Sequence, residues 1–89
     1  MGLKRRDRER RAIVEVADAL IAATINDRST TDAAVFAQKY LGTFAVALGE
    51  ACERHSLDAA GAQRVYDGVP AELSRRERAA AELADHFGR

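Results

Sequence analysis

The sequence begins with an uninterrupted helical pattern, because residues 3–26 contain neither glycine nor proline. Within this run the apolar side chains recur at helical spacing and cover roughly 140° of a wheel drawn at about 100° per residue. The pattern predicts an amphipathic helix whose apolar stripe begins near Ile13, with the preceding turns projecting beyond the core. The stripe consists of Ile13, Val14, Ala17, Leu20, Ile21, Thr24 and Ile25.

A second helix is predicted after the polar stretch NDRSTTD, in which Ser29, Thr30 or Thr31 can provide the N-cap. It extends to about Arg54 and has a wide apolar face, so we expect it to be the central helix of the domain. The large residues of this face are Phe36, Tyr40, Leu41, Phe44 and Leu48, with Ala33, Ala34, Ala37, Ala45 and Ala51 between them.

Two further helices are predicted from turn signals in the second half of the chain. Ser56 has the properties of an N-cap for a short helix over residues 57–66. The stretch YDGVP then predicts a glycine C-cap at Gly68 and a last helix that starts at Pro70 and ends near residue 87.

Length and composition agree with one small helical domain. A chain of 89 residues buries only about 60–65% of its unfolded surface, which suffices for one core and not for two. The apolar content of 47% is rich in alanine and the aromatic content is 6%, which favours close-packed helices over a sheet. The predicted fold class is all-α: a compact four-helix domain, with two long antiparallel helices followed by a short helix and a terminal helix. We divide it into a basic N-terminal helical extension, residues 1–11, and a single helical domain, residues 12–89.

Cysteine usage and hydropathy predict a cytoplasmic protein. Cys52 is the one cysteine, which excludes an internal disulfide, and the basic start is followed by a short apolar segment that Glu15 and Asp18 interrupt. No signal peptide is expected from this pattern. The uncharged run over residues 40–49 is far shorter than the roughly 20 apolar residues that span a bilayer, so we expect no membrane partner.

Two glycines in the second helix need a physical reason. Each glycine in a helix interior costs about 1 kcal/mol relative to alanine, so Gly42 and Gly49 require a compensating contact. With Ala45 and Cys52 they form a ridge of small side chains at spacings of three and four, and Val46, opposite the main aromatic arc, supports a second buried contact. The ridge either receives another helix of the same chain or joins two chains, since two helical hairpins can combine into a four-helix bundle. These five residues are therefore the candidate protein-interaction site.

The segment KRRDRERR makes the N-terminal end positive, although the formal net charge of the sequence is zero. Clustered arginine and lysine release counterions from nucleic acid, so the alternative function is a small nucleic-acid-associated protein that contacts phosphates here. The simpler interpretation is a solvated helix start, in which Arg5 with Glu9 and Asp7 with Arg11 partly neutralise each other at a spacing of four. The candidate nucleic-acid-binding residues are Lys4, Arg5, Arg6, Arg8, Arg10 and Arg11.

The stretch LSRRERAAAELADHFG, residues 73–88, has a leucine and a capping serine before an Arg-Glu pair and an apolar run. In this it resembles the first helix of the helix-turn-helix in LuxR-type regulators and in region 4 of sigma factors. The resemblance rests on Leu73, Ser74, Arg76, Glu77 and Leu83. Ser74 and Glu77 also have capping-box spacing, so helix-capping rules explain the same residues and no DNA-reading role is assigned.

The sequence contains no motif for catalysis. There is no glycine-rich phosphate loop, and neither histidine accompanies a nucleophile motif. Cys52 and His55, with Glu82 and His86, could provide metal ligands, but nothing in the sequence brings the two pairs together. We predict no enzyme activity, cofactor or bound metal. The predicted function is a non-catalytic interaction or adaptor protein, present as a homodimer or bound to a protein partner.

Overall fold

The computed structural model describes residues 4–23 and 38–87, and these residues form three α-helices. α1 spans Arg5–Ala23, α2 spans Leu41–Arg54 and α3 spans Ala59–Phe87. The all-α class is confirmed, because the described ranges contain no strand. None of these three helices is long and apolar enough to cross a membrane.

Several predicted features lie outside the described residues and stay predictions. They are the end of the first helix at Thr24 and Ile25, the N-cap of the second helix at residues 29–31, and the early apolar residues of that helix, Ala33, Ala34, Phe36 and Ala37. The predicted end of the second helix at Arg54 is confirmed.

α1 and α3 run parallel to each other. Their contacts advance together along both helices, from the ion pair of Arg5 with Asp58 to that of Asp18 with Arg76. Because a long segment of chain separates the two helices, they can lie side by side in the same direction. Residues far apart in sequence are thereby brought together along the whole length of α1.

α2 runs antiparallel to α1. Glu15 of α1 pairs with Arg54 at the end of α2, whereas Ala19, one turn later in α1, shares a groove with Gly42 near the start of α2. α1 packs against both other helices, which contact each other less. The prediction that the second helix is central is therefore wrong, because one face of α2 is left without a packing partner among the described residues.

A small apolar core joins the three helices. Phe44 of α2 and Tyr66 of α3 stack with ring centroids 5.1 Å apart, which provides a direct contact between these two helices. Full burial of a valine or leucine side chain contributes about 1.5–3 kcal/mol, so each large core residue matters in a chain of this size. The buried apolar residues are Ala12, Val16, Ala17 and Leu20 from α1, Phe44 and Ala51 from α2, and Val65, Val69 and Leu73 from α3.

The buried stripe of α1 is rotated relative to the predicted one. Ala17 is buried as predicted, but Ile21 is exposed, and Ala12 lies fully in the core. The stripe continues one turn further back to Glu9, which is buried because Arg64 of α3 neutralises it. The first turns of α1 are thus in contact with α3, while the division of the chain at residue 11 stays a prediction.

The predicted short helix and terminal helix are one continuous helix, α3, so the prediction of four helices is wrong for the described residues. α3 passes through Gly68 and Pro70, although proline lacks an amide hydrogen and disfavours a helix interior. Val65, Val69 and Leu73 follow one another at a spacing of four and lie in the core before and after the proline. The free energy gained by packing this stripe exceeds the cost of Gly68 and Pro70 inside the helix.

Gly68 and Gly61 allow α3 to approach its neighbours closely. Neither glycine has a positive φ, so the predicted C-cap at Gly68 is wrong. An ideal Cβ at Gly68 would lie 2.7 Å from Cδ1 of Ile13, and one at Gly61 would lie 3.2 Å from Oδ1 of Asp58 and 3.5 Å from Oε2 of Glu9. The absence of a side chain at Gly68 permits the close contact of α3 with α1, whereas Gly61 leaves room for Asp58 at the start of its own helix.

α2 ends in a Schellman motif. Ser56 has a φ of 55°, in the left-handed region. The amide of Ser56 donates to the carbonyl oxygen of Glu53, and the amide of Leu57 donates to that of Cys52. Arg8 of α1 adds a positive charge at this helix end, because its Nη1 donates to the carbonyl oxygen of Ser56 at 3.3 Å.

Asp58, and not Ser56, is the N-cap of α3. The Oδ1 atom of Asp58 accepts a hydrogen bond of 2.8 Å from the amide of Gly61. This hydrogen bond, together with the charges of Arg5 and Arg64, lowers the pKa of Asp58. Ser56 does not act as the N-cap of α3, because it has a left-handed conformation and its amide donates to Glu53 at the end of α2.

The region that resembles the start of a helix-turn-helix is not a separate element. Ser74 and Glu77 lie in the interior of α3, so they do not form a capping box. Leu73 is buried in the core formed with α1 and α2. Packing within this chain therefore accounts for the leucine on which the resemblance partly rests.

Candidate interaction surfaces

The outer face of α2, defined by Gly42, Ala45, Val46 and Gly49, is exposed along its whole length. Val46 is 62% exposed. An ideal Cβ built at Gly42 or at Gly49 would have no described atom within 4 Å. In contrast to the two glycines of α3, these glycines serve no packing contact within residues 4–23 and 38–87.

An open groove of about 460 Å³ runs between α1 and α2 next to this face. Glu50 is its one charged lining residue, and most of the others are small or apolar. Such a surface can receive the side chains of another helix, because small residues allow two helix axes to approach closely. The lining residues are Ala19, Gly42, Thr43, Val46, Ala47 and Glu50.

Cys52 differs from the other four residues of the predicted protein-interaction site. It is half-buried, and burial raises the pKa of its thiol. The thiol therefore stays protonated at neutral pH and acts as a small packing group. The residues of the predicted ridge therefore differ in exposure: those on the outer face of α2 are exposed, and Cys52 is half-buried. The role of the ridge in association stays a prediction.

The basic segment lies in the first turns of α1, and part of it is held by contacts within the chain. Arg5 Nη2 lies 3.2 Å from Oδ2 of Asp58, and Arg8 Nη1 donates to a backbone carbonyl at the end of α2. Arg10 Nη1 lies 2.8 Å from Oε1 of Glu72. The remaining predicted nucleic-acid-binding residues, Lys4, Arg6 and Arg11, are exposed and have no ion pair among the described residues.

Glu72 is a buried carboxylate surrounded by three arginines, with a side chain that is 1% exposed. Its Oε1 accepts from Arg75 Nε at 3.1 Å and also faces Arg10, while its Oε2 accepts from Arg75 Nη2 at 2.8 Å and from Arg76 Nε at 2.7 Å. The bonds from Arg75, Arg76 and Arg10 outweigh the effect of burial and lower the pKa of Glu72 to about 2. The carboxylate is ionised at neutral pH and holds three guanidinium groups in place.

Two further ion-pair groups connect the helices. Glu9 makes a two-bond contact with Arg64, at 2.8 Å from Nε and 2.7 Å from Nη2, and these bonds lower the pKa of Glu9. Glu15 lies 2.7 Å from Nε2 of His55 and 3.2 Å from Nε of Arg54.

The described residues contain no group of three histidine, cysteine or acidic side chains that could hold a metal ion.

Sequence reasoning missed the contacts between helices because their partners lie far apart in the sequence, for example 39 residues for Arg54 with Glu15 and 58 for Arg76 with Asp18. One signal for them was present. Glu9 and Glu72 each occupy a position on the apolar stripe of a helix, and a carboxylate that is buried needs a charged partner. An acid on a core face therefore predicts a buried ion pair, although it does not identify the partner.

No protein-family model, curated protein or solved structure matches this chain. The function is therefore inferred from the surfaces that the described residues present.

Proposed function

We propose that this chain is a non-catalytic helical interaction protein that self-associates through the outer face of α2. The observation that carries the proposal is the exposure of Gly42 and Gly49 on either side of Val46. Gly49 lies in the interior of α2 and costs the helix about 1 kcal/mol relative to alanine, while Gly42 lies in its first turn. No described residue makes a contact that would offset this cost. A helix packed closely on this face from another chain would offset it.

The occupant that we propose is α2 of a second copy of the same chain. The outer face of α2 lies within residues 40–49, which carry no charge; Lys39 comes just before this range. The whole sequence has no net charge. Two copies can therefore approach without strong repulsion. A twofold axis across α2 would bring the same small side chains of both copies together, which is the self-complementary geometry of a symmetric dimer.

A dimer of ordinary proportions would have a small interface. One tenth of the accessible surface of 6257 Å² from each copy would bury about 1,200 Å² in total, at the lower limit for specific and stable interfaces. A contact of this size, built from small residues without a large aromatic anchor, predicts reversible association that depends on protein concentration.

Replacement of both glycines by leucine tests the proposal. Gly42→Leu with Gly49→Leu should abolish assembly, because leucine prevents close approach of a second helix, and should leave the helical content unchanged, because both positions are open. Ala81→Leu, at an exposed position of α3, is the matched control and should assemble like the unaltered chain. Chemical crosslinking and far-ultraviolet circular dichroism report the two properties. An assembly that persists in the double variant would exclude this face.

The nucleic-acid alternative draws less support from the same structure. Arg5 and Arg8 are held by contacts within the chain, which leaves fewer of the N-terminal basic residues available to contact phosphates. Replacement of Arg5, Arg6, Arg8 and Arg10 by glutamine would remove a salt-dependent affinity if this alternative applied. Absence of binding by the unaltered chain at low salt would end it.

A further inference from the structure

We propose a phosphate-binding site between Arg10 of α1 and Arg75 of α3, organised by the buried carboxylate of Glu72. The site lies at the contact of α1 with α3 and shares no residue with the outer face of α2. It is therefore independent of self-association. Its ligand is a phosphate group, either free or as a phosphate ester.

The two guanidinium groups are held side by side by one oxygen atom. Arg10 Nη1 lies 2.8 Å and Arg75 Nε lies 3.1 Å from Oε1 of Glu72. These two nitrogen atoms are therefore no more than about 6 Å apart, so the two guanidinium groups are neighbours, and one oxyanion can reach the N–H groups of both that Glu72 leaves free. The side chains of Arg10 and Arg75 are 51% and 56% exposed, so both groups are accessible from solvent.

The charges around Glu72 do not balance. Three guanidinium groups face one carboxylate, and Asp18 supplies a second negative charge by its 2.8 Å contact with Nη1 of Arg76. One positive charge remains without compensation. It belongs to the pair of Arg10 and Arg75, since neither has another carboxylate partner among the described residues.

The site is also preorganised. Glu72 is fixed by burial and by bonds to both of its oxygen atoms, so Arg10 and Arg75 have already lost much of the freedom that surface arginines retain. A ligand does not have to restrict them again, which favours binding. Arg76 is less exposed and is already paired with Asp18, so it acts as support and not as a contact for the ligand.

Phosphate matches this arrangement better than a carboxylate does. Each guanidinium has five N–H donors, and only some of those of Arg10 and Arg75 are used by Glu72. A phosphate offers at least three strong acceptor oxygens and up to two negative charges, so it can accept from both arginines at once. A carboxylate ligand has two oxygens and one negative charge, so it offers fewer acceptors and less charge to the two arginines.

The test is a titration of the full chain with sodium phosphate at constant ionic strength, followed by the Nε–Hε signals of arginine in nuclear magnetic resonance spectra. We expect saturable shifts of the Arg10 and Arg75 signals. Arg75→Gln should weaken phosphate binding by about tenfold, because it removes one of the two guanidinium groups that bind the ligand. The matched control is Arg78→Gln, which removes an exposed arginine of α3 outside the cluster and should change the affinity by less than about twofold.

A second variant keeps the test decisive if Arg75→Gln disturbs the fold. Arg75→Lys preserves the charge but removes the planar fork, so it should weaken phosphate binding more than Arg78→Gln does. No saturable shift at millimolar phosphate, the same shift with sodium chloride, or equal losses in the Arg75 and Arg78 variants would overturn the proposal.

A parallel titration with a short oligothymidylate identifies the source of the phosphate. If the site serves a nucleic-acid backbone, the oligonucleotide binds more tightly than phosphate, with a steep salt dependence that Arg75→Gln reduces. If the site serves a free phosphate or a phosphate monoester, the oligonucleotide binds no more tightly than phosphate itself. Either result supports the site, provided that the Arg75 variants weaken binding.

Discussion

Ile13 of α1 occupies the space that a side chain at Gly68 of α3 would need. An ideal Cβ at Gly68 would lie 2.7 Å from Cδ1 and 3.3 Å from Cγ1 of Ile13. Atoms that are not bonded do not approach so closely, so glycine at this position permits the observed contact of α1 with α3. Among the described residues, Gly68 of α3 thus permits a close contact between helices, whereas Gly42 and Gly49 of α2 remain open.

Alanine substitutions should therefore have opposite effects in the two helices. Gly68→Ala should lower the free energy of unfolding by about 1 kcal/mol, since overpacking against Ile13 exceeds the gain in helix propensity. Gly42→Ala should raise it by about 0.5–1 kcal/mol, because the added Cβ meets no described atom. Urea denaturation at low protein concentration measures both. Effects of the same sign would show that the two positions do not differ in packing.

The left-handed conformation of Ser56 predicts a stabilising substitution. Ser56→Gly should raise the free energy of unfolding by about 1 kcal/mol, because glycine adopts a φ of 55° without the steric cost borne by other residues. Ser74→Gly, in the interior of α3, is the matched control and should lower it by a few tenths of a kcal/mol. Thermal unfolding of both variants provides the comparison, and a loss of stability in Ser56→Gly would refute the assignment of the Schellman motif.

Glu72 predicts a loss of stability in acid. Its pKa of about 2 in the folded chain lies below the ordinary value of 4.5, so the unfolded chain binds more protons between these values. The stabilisation from Glu72 is fully present above about pH 4.5 and is lost as the pH falls toward 2. Its upper limit is about 3 kcal/mol, from the size of the pKa difference. Glu9 and Asp58, whose pKa values are also lowered, contribute in the same direction.

Glu72→Gln should therefore lower the free energy of unfolding at neutral pH and flatten its dependence on pH between about 2 and 4.5. Glu82→Gln is the control, because Glu82 is exposed on α3 and has no ion pair among the described residues. Chemical denaturation across this pH range measures the slope. An unchanged slope in Glu72→Gln would contradict the role of the buried cluster.

Much of the helical content could be predicted from the sequence, because apolar periodicity and the polar turn before α3 are local signals. The continuity of α3 could not be predicted from Gly68 and Pro70, which favour a break when considered alone. The spacing of Val65, Val69 and Leu73 carried the opposite signal, and burial of this stripe decides between the two.

The candidate surfaces were only partly predictable. The small-residue spacing of Gly42 and Gly49 is visible in the sequence, but their exposure depends on where α1 lies relative to α2. The contact of Arg10 with Glu72 depends on the parallel alignment of α1 and α3, which no local pattern encodes. For the same reason, three of the six basic residues that were candidates for binding nucleic acid are held within the chain.

The central claim, self-association through the outer face of α2, is tested most directly by the mass in solution of the unaltered chain, Val46→Glu and Leu83→Glu. Light scattering over a range of protein concentrations should show a mass that rises from 9.7 kDa toward twice that value for the unaltered chain. Val46→Glu should remain at 9.7 kDa, because a charge in the middle of the face opposes the contact, whereas Leu83→Glu, an equally exposed apolar position on α3, should behave like the unaltered chain. A mass of 9.7 kDa for the unaltered chain at every concentration, or a dimer of Val46→Glu as stable as that of Leu83→Glu, would contradict the claim.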